Sequence, residues 1–151
     1  MHKDSTISAL RLLVQSCVDS EGEYEVCARH AHTTELRELF TFRAQACREE
    51  AGELEDALRD LGGSPEHRGS FLGAAHRGWM ALRNSMPSNG DGVLLEECEH
   101  GEEVVLMRYR GVLSGPLPES IRQLVLKHYE LARQTREHLR NLRARIVIAA
   151  G

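Results

Sequence analysis

The sequence contains no apolar run that approaches the roughly 20 residues needed to cross a bilayer, so it predicts no membrane span. The opening residues, MHKDSTISAL, lack the apolar segment of a secretory signal. Cysteine is scarce as well, and Cys17, Cys27, Cys47 and Cys98 match no zinc-binding or CxxC spacing. On one helix Cys17 and Cys27 would lie ~15 Å apart, too far for a disulfide. These absences favour reduced thiols and a cytoplasmic location.

The charge balance gives the chain no general attraction to nucleic acid or to anionic lipid. Lysine and arginine number 19 against 23 aspartate and glutamate, for a formal net charge of −4 and a pI near 6.1. Charged residues make up 28% and hydrophobic residues 41% of the sequence, which is neither a disordered nor a membrane composition. The 151 residues predict a single domain over 1–151 that can bury a core without disulfides or metal.

Strand-like alternation is nearly absent, and apolar residues recur instead at helical spacing in four long segments. We expect helices over about 5–31, 34–61, 91–113 and 118–146. Thr33 can cap the second helix, and Gly62 and Gly63 can end it. The four prolines all lie outside these segments, and Pro118 suits the first turn of the last helix.

The connection over 62–90 is too long for a simple turn between helices. Within it, residues 70–86 show the pattern of a short amphipathic helix, with Phe71, Trp79 and Leu82 as apolar anchors. Short turns between the first and last pairs of helices, combined with one long crossover, are typical of the ferritin-like variant of the four-helix bundle. The sequence therefore predicts an all-α ferritin-like bundle with a short extra helix in the crossover.

The stretch EECEHGEE at 96–103 looks at first like a metal site, because Glu97 and His100 have the Glu-x-x-His spacing of iron-binding bundles. On a helical wheel, however, Leu95 and Cys98 define the inward arc, together with Val105, Leu106 and Tyr109. Glu97 and His100 then face solvent, Glu99 lies at the flank and only Glu102 points inward. We interpret the motif as a solvated helix face.

Polar residues also fall on the inward stripes of the other helices, and counting from the turns brings several to one level. We predict a central structural polar layer of Glu21, Arg43, Glu102 and His128, with Glu50 a turn or two away. One interpretation is a layer of paired charges that fixes helix register. The other is a di-metal carboxylate site for iron or another divalent metal, held by Glu21, Glu50, Glu102 and His128.

The residue pattern favours the layer of paired charges over the metal site. Glu50-x-x-Glu53 supplies no histidine, and Val125 stands three residues before His128. Arg43 would place a fixed positive charge beside a divalent cation. We therefore predict no catalytic residue, no cofactor and no metal ligand, and keep the metal site as the alternative.

Three segments of the chain resemble a bacterial ferritin-like four-helix-bundle family of unknown function. They are EGEYEVCA at 21–28, GSFLGAAHRGWMALR at 69–83 and EHGEEVVLMRYRGVLSGPLPESIR at 99–122. Gly73, Ala74, His76 and Trp79 form the most specific part of the resemblance. It implies a ferritin-like fold and carries over no enzymatic activity and no fixed ligand set. The paired Glu-x-x-His motifs of iron-loading relatives are missing here.

No further segment suggests an active site, since no serine–histidine–acid set, phosphate-binding loop or Cys–His pair occurs. A stripe of four arginines on the last helix, Arg133, Arg136, Arg140 and Arg143, fits pairing with glutamates of a neighbouring helix better than an acidic partner. His76 and Trp79 could line a pocket under the crossover, although Trp79 is better explained as an anchor. Two functional hypotheses remain: a non-catalytic bundle that acts through protein contacts, as a homodimer, and a metal-binding ferritin-like protein.

Overall fold

Four helices account for most of the chain in the computed structural model, which describes residues 2–65 and 90–150. They are α1 (His2–His30), α2 (Thr34–Asp60), α3 (Asp91–Leu113) and α4 (Glu119–Ala150). These described residues contain no strand. The predicted helices are confirmed, with ends that differ by a few residues. The proposed short helix over 70–86, including His76 and Trp79, lies outside the described residues.

Local sequence signals set the ends of α2. The Thr33 hydroxyl accepts a hydrogen bond from the Leu36 amide at 3.3 Å, so one free amide of the first turn is capped as predicted. At the other end Gly62 adopts a φ of 84°, a left-handed conformation that glycine accepts at little cost. The Gly63 amide then bonds back to the Leu58 carbonyl, and the helix stops.

The helices form two antiparallel hairpins, α1 with α2 and α3 with α4. Arg122 closes the second turn by donating to the carbonyl oxygens of Leu113 at 2.9 Å and Gly115 at 2.7 Å. Between hairpins, the backbones approach most closely along α1 and α3. The His32 amide, just after α1, donates to Asp91 at the start of α3, so α3 begins ~40 Å from the end of α2. This placement requires a crossover along the bundle, in agreement with the predicted ferritin-like topology.

The buried apolar side chains form two clusters, one toward each end of the bundle. The first includes Tyr24, Phe40, Cys47, Leu95 and Cys98, and the second includes Leu13, Cys17, Leu54, Leu106 and Tyr109. Along α2 and α3, Glu50 and Glu102 fall between the two clusters. The hydrophobic core is therefore interrupted near its middle by charged side chains. None of the helices described over 2–65 and 90–150 combines the length and hydropathy that a bilayer crossing requires.

Candidate functional site

A small interior cavity marks the interruption of the core. Its volume is about 10 Å³, which is just enough for a single water molecule. All four helices contribute to its lining. Where one helix supplies several lining residues, they are mostly three or four positions apart and so share one face of that helix. The lining consists of Ser16, Cys17, Ser20, Arg43, Cys47, Glu50, Glu102, Val105, Tyr109 and Ala132. An arginine, two glutamates and two thiols thus line one small, partly open cavity.

Glu102 is the most deeply placed carboxylate of this cavity. Its residue is only 4% exposed, and the Tyr24 hydroxyl of α1 donates to its Oε1 at 2.7 Å. Burial raises the pKa of Glu102, while the positive charge of Arg43 and the hydrogen bond from Tyr24 oppose that rise. The buried carboxylate therefore depends on Arg43 and Tyr24 for its compensation.

Arg43 brings the positive charge to the cavity from α2. Its guanidinium lies 5.7 Å from the centre of the Tyr24 ring, and its Nε is buried without a hydrogen-bond partner. Burial by itself would lower the pKa of Arg43, but the surrounding ionisable groups, Glu102 and Glu50 among them, raise it above its ordinary value. Arg43 therefore stays charged inside the bundle.

Glu50 lies on the same face of α2 as Arg43, about two turns later. It is buried, and this burial raises its pKa to about 7, against the lowering effect of Arg43 and with a further rise from Glu102. The positive charge of Arg43 thus lowers the pKa of both Glu50 and Glu102. Glu50 still takes up a proton near neutral pH.

Glu21, which the sequence placed in the same layer, does not line this cavity. It is half-buried at the outer side of α1, where its Oε2 accepts a hydrogen bond from Arg48 Nε at 2.9 Å. Arg48 also donates to Glu25 at 3.2 Å. The long side chain of Arg48 on α2 thus holds the Glu21 carboxylate at the surface of the first hairpin.

His128 is buried as expected but belongs to another level of the bundle. Its Nε2 lies 3.2 Å from Glu53 of α2, and burial lowers its pKa. Tyr129 and Arg136 of α4 lie beside Arg110 and Glu103 of α3. His128 is therefore about two and a half turns away from Glu102. Counting from a turn centred at residue 115 predicts His128 at the level of Glu102, but α4 begins only at Glu119.

The residues present do not fit the di-metal centre that was the alternative interpretation. Of its four predicted ligands, Glu50 and Glu102 share the cavity, while Glu21 pairs with Arg48 and His128 pairs with Glu53. Among residues 2–65 and 90–150, no group of three or more histidine, cysteine or acidic side chains is arranged to hold a metal ion. Arg43 occupies the level at which a divalent cation would be needed.

The acidic stretch at 96–103 separates into exposed and buried members. His100 is exposed and Glu97 is half-buried. Glu99, predicted to lie at the flank, is instead buried: Arg140 and Arg143 of α4 donate to its two carboxylate oxygens at 3.2 and 2.8 Å. The wheel of α3 alone could not show this, because the arginines that cover Glu99 come from the neighbouring helix.

The arginine stripe of α4 is largely used in pairing across the second hairpin. Besides the two contacts to Glu99, Arg136 Nη1 lies 3.9 Å from Glu103. Arg133 pairs within its own helix, with Glu130 at 3.0 Å. The stripe thus joins α4 to α3, which is the interpretation that the sequence favoured.

Replacing Glu99 by glutamine should lower the free energy of unfolding by ~2 kcal/mol, because two charge-assisted hydrogen bonds are weakened in a buried place. Although burial opposes it, donation by Arg143 and Arg140 holds the pKa of Glu99 below its usual value. This stabilisation is present at neutral pH and is lost below about pH 4. Urea unfolding of Glu99→Gln at both pH values measures it. His100→Ala is the exposed control and should stay within ~0.5 kcal/mol of the parent; an equal loss in both variants would contradict the assignment.

Comparison with known proteins gives one family and several similar structures, including the following two. Residues 5–115 match the family described as Domain of unknown function (DUF2383). A dodecameric thioferritin, the bacterioferritin-related protein from Bacteroides fragilis, has a TM-score of 0.70 at 19% identity over 99% of this chain and 92% of that one. A mutant of Dps1 from Mycobacterium smegmatis has a TM-score of 0.63 at 14% identity over 91% and 97%. No curated protein matches the sequence. At these low identities the two TM-scores show a shared ferritin-like fold and nothing more.

Proposed function

This chain belongs to the DUF2383 family, and we propose that it is a non-catalytic ferritin-like bundle that acts through protein–protein contacts, first of all with copies of itself. The observation that carries the proposal is the place of Arg43. Its guanidinium shares the central cavity with Glu50 and Glu102, where a ferritin-like metal centre would need a cation. The arginine supplies positive charge to these carboxylates without a metal.

Self-association is supported by the apolar surface and by one of the similar structures. Phe42 and Met107 are each 67% exposed, and Leu12, Leu126 and Leu131 are exposed as well. The Bacteroides fragilis protein is described as dodecameric. The homodimer predicted from the sequence is one assembly that such a surface could form. A cytoplasmic location, with the four thiols free, belongs to the same proposal.

A metal-binding function is the second candidate, and one observation favours it. Glu50 and Glu102 come from different helices and open onto one cavity, which places two carboxylates together inside the bundle. Metal centres of ferritin-like bundles use inward carboxylates of this kind. The two candidates differ in what must neutralise the pair: Arg43 in the first, a divalent cation in the second.

Metal analysis of the assembled protein separates the two candidates. We expect the untagged chain, purified without chelator and sized by sedimentation, to be an oligomer that holds no stoichiometric transition metal after exposure to iron(II) and removal of the free ion. Glu102→Ala should leave this result unchanged. A stoichiometric metal that disappears in Glu102→Ala would establish the second candidate, and a monomer at micromolar concentration would contradict self-association.

A further inference from the structure

Outside the central cavity, one thiol from each helical hairpin contacts the other. Cys27 of α1 and Cys98 of α3 are 71 positions apart in sequence, yet their sulfur atoms are 3.4 Å apart. Neither belongs to the cavity lining, and neither takes part in the ion pairs described above. Both are buried, at 0% and 3% exposure, within the apolar cluster toward one end of the bundle.

Close approach of α1 and α3 makes this contact possible. The two helices run antiparallel, and the Tyr24–Glu102 and Ser16–Arg108 hydrogen bonds fix their register on the same seam. Gly101 lies three residues after Cys98, and a methyl group added there would meet the Glu23 carboxylate at 3.1 Å. The two hydrogen bonds therefore hold α3 against α1 beside the two thiols.

We propose that Cys27 and Cys98 form an intrachain disulfide when the protein meets hydrogen peroxide or a related two-electron oxidant, and that this bond links the two hairpins. The sulfur atoms need to approach by only about 1.4 Å to reach bonding distance. Adjustment of the two side-chain torsions and a small helix shift can supply this movement. The other two thiols, Cys17 and Cys47, line the central cavity instead.

The chemistry balances with peroxide as the oxidant. The sulfur of one thiol attacks a peroxide oxygen, the O–O bond breaks, and a sulfenic acid and one water molecule form. The second thiol attacks the sulfenic sulfur, which creates the S–S bond and releases a second water. The two sulfurs together lose two electrons and the peroxide oxygens gain them.

The oxidant can reach the two buried thiols only when the nearby helix ends open locally. α1 ends at His30, three residues after Cys27, and α3 begins at Asp91, seven residues before Cys98. Helix ends open locally at a low free-energy cost compared with global unfolding. Burial raises the pKa of Cys98, which slows its reaction until such opening exposes it. Oxidation should therefore be slower in the folded chain than in urea.

The disulfide would restrain the unfolded chain across a long loop, because it closes the connection from α1 through the crossover to α3. We expect oxidation to raise the melting temperature by about 10 °C. The bond would also prevent the two hairpins from separating along α1 and α3. The two cysteines would thus be a site of oxidative modification, and their disulfide would stabilise the fold under oxidative conditions.

Peptide mapping of the peroxide-treated full-length chain tests the proposal without any variant. The reduced protein, freed of reductant, should lose two hydrogen atoms per chain in its intact mass. Digestion without reductant should give one cross-linked pair of peptides, which contains Cys27 and Cys98 and separates on reduction. A cross-link between other cysteines, a bond between chains, or no cross-link at peroxide levels that oxidise the chain in urea would overturn it.

The melting temperatures of two single-residue variants, measured before and after oxidation, provide a second test. Cys98→Ala should lose the rise in melting temperature on oxidation. Cys47→Ala removes another buried thiol of the same cluster by the same truncation and should keep the rise. A rise that persists in Cys98→Ala would overturn the assignment. Should Cys98→Ala not fold, the peptide map of the parent chain decides alone.

Discussion

Replacing Arg43 by methionine should lower the free energy of unfolding at pH 8 by ~3–5 kcal/mol, because two buried carboxylates lose the nearby positive charge that opposes the rise in their pKa. Methionine keeps much of the aliphatic volume and removes the guanidinium, so Glu50 and Glu102 remain in one small cavity whose lining then carries no positive charge. The Tyr24 hydroxyl can satisfy one oxygen of Glu102 but cannot neutralise it. Chemical unfolding at pH 8 measures the loss.

The same variant should recover as the pH falls. Burial already raises the pKa of both glutamates, and Arg43 opposes that rise in each. Its removal raises both pKa values further, so the folded state of the variant binds more protons than the unfolded state over a wider range. Stability therefore increases on acidification toward pH 5. Arg48→Met is the matched control: Arg48 lies at the surface of the same helix, and its loss should cost less than ~1 kcal/mol at either pH. Equal losses in both variants would mean that Arg43 carries no special charge role.

Glu50→Gln should stabilise the protein at pH 8 and flatten its dependence on pH. The pKa of Glu50 is raised to about 7 in the folded state, while an unfolded glutamate titrates near 4.3. A raised carboxyl pKa means that stability is greatest when both states are protonated and declines as the pH rises from about 4.3 through 7. Glutamine stays neutral, so the variant should gain up to about 3 kcal/mol at pH 8 and little at pH 4.

Glu49→Gln serves as the control for this effect, since Glu49 is the exposed neighbour on the same helix and accepts a hydrogen bond from Gln45, one turn earlier. Urea unfolding from pH 4 to 8 should separate the two variants progressively. A Glu50→Gln protein less stable than the parent at pH 8 would show that the Glu50 charge is needed, either by Arg43 or by a bound cation.

The fold could be predicted because its determinants are local or periodic. Apolar residues at helical spacing define all four helices, and Thr33 and Gly62 mark ends that the structure confirms. The long connection between two short-turn hairpins leaves few topologies other than the ferritin-like one. The inward placement of Arg43 and Glu102 followed from the same stripes, because each lies among apolar neighbours on its own helix.

The partners of the charged residues could not be predicted in the same way, since they depend on the register between helices. The stripes predict His128 at the level of Glu102, but the non-helical residues after Leu113 displace α4 along α3. Glu21 lies at the edge of its stripe, where the reach of Arg48 from α2 decides which way it points. The contact between Cys27 and Cys98 depends on the pairing of α1 with α3, for which neither helix alone carries a signal.

The most direct test of the central claim, that Arg43 and not a metal neutralises the buried carboxylates, is the melting temperature of Arg43→Met at pH 8 and pH 5.5, with and without iron(II) or zinc. We predict that acid raises the melting temperature of the variant and that metal does not. We also predict that neither iron(II) nor zinc changes the melting temperature of the parent. Removal of a repulsive arginine from a metal centre would instead tighten metal binding and stabilise the fold by mass action. Stabilisation of Arg43→Met by metal with little effect of pH would contradict the claim.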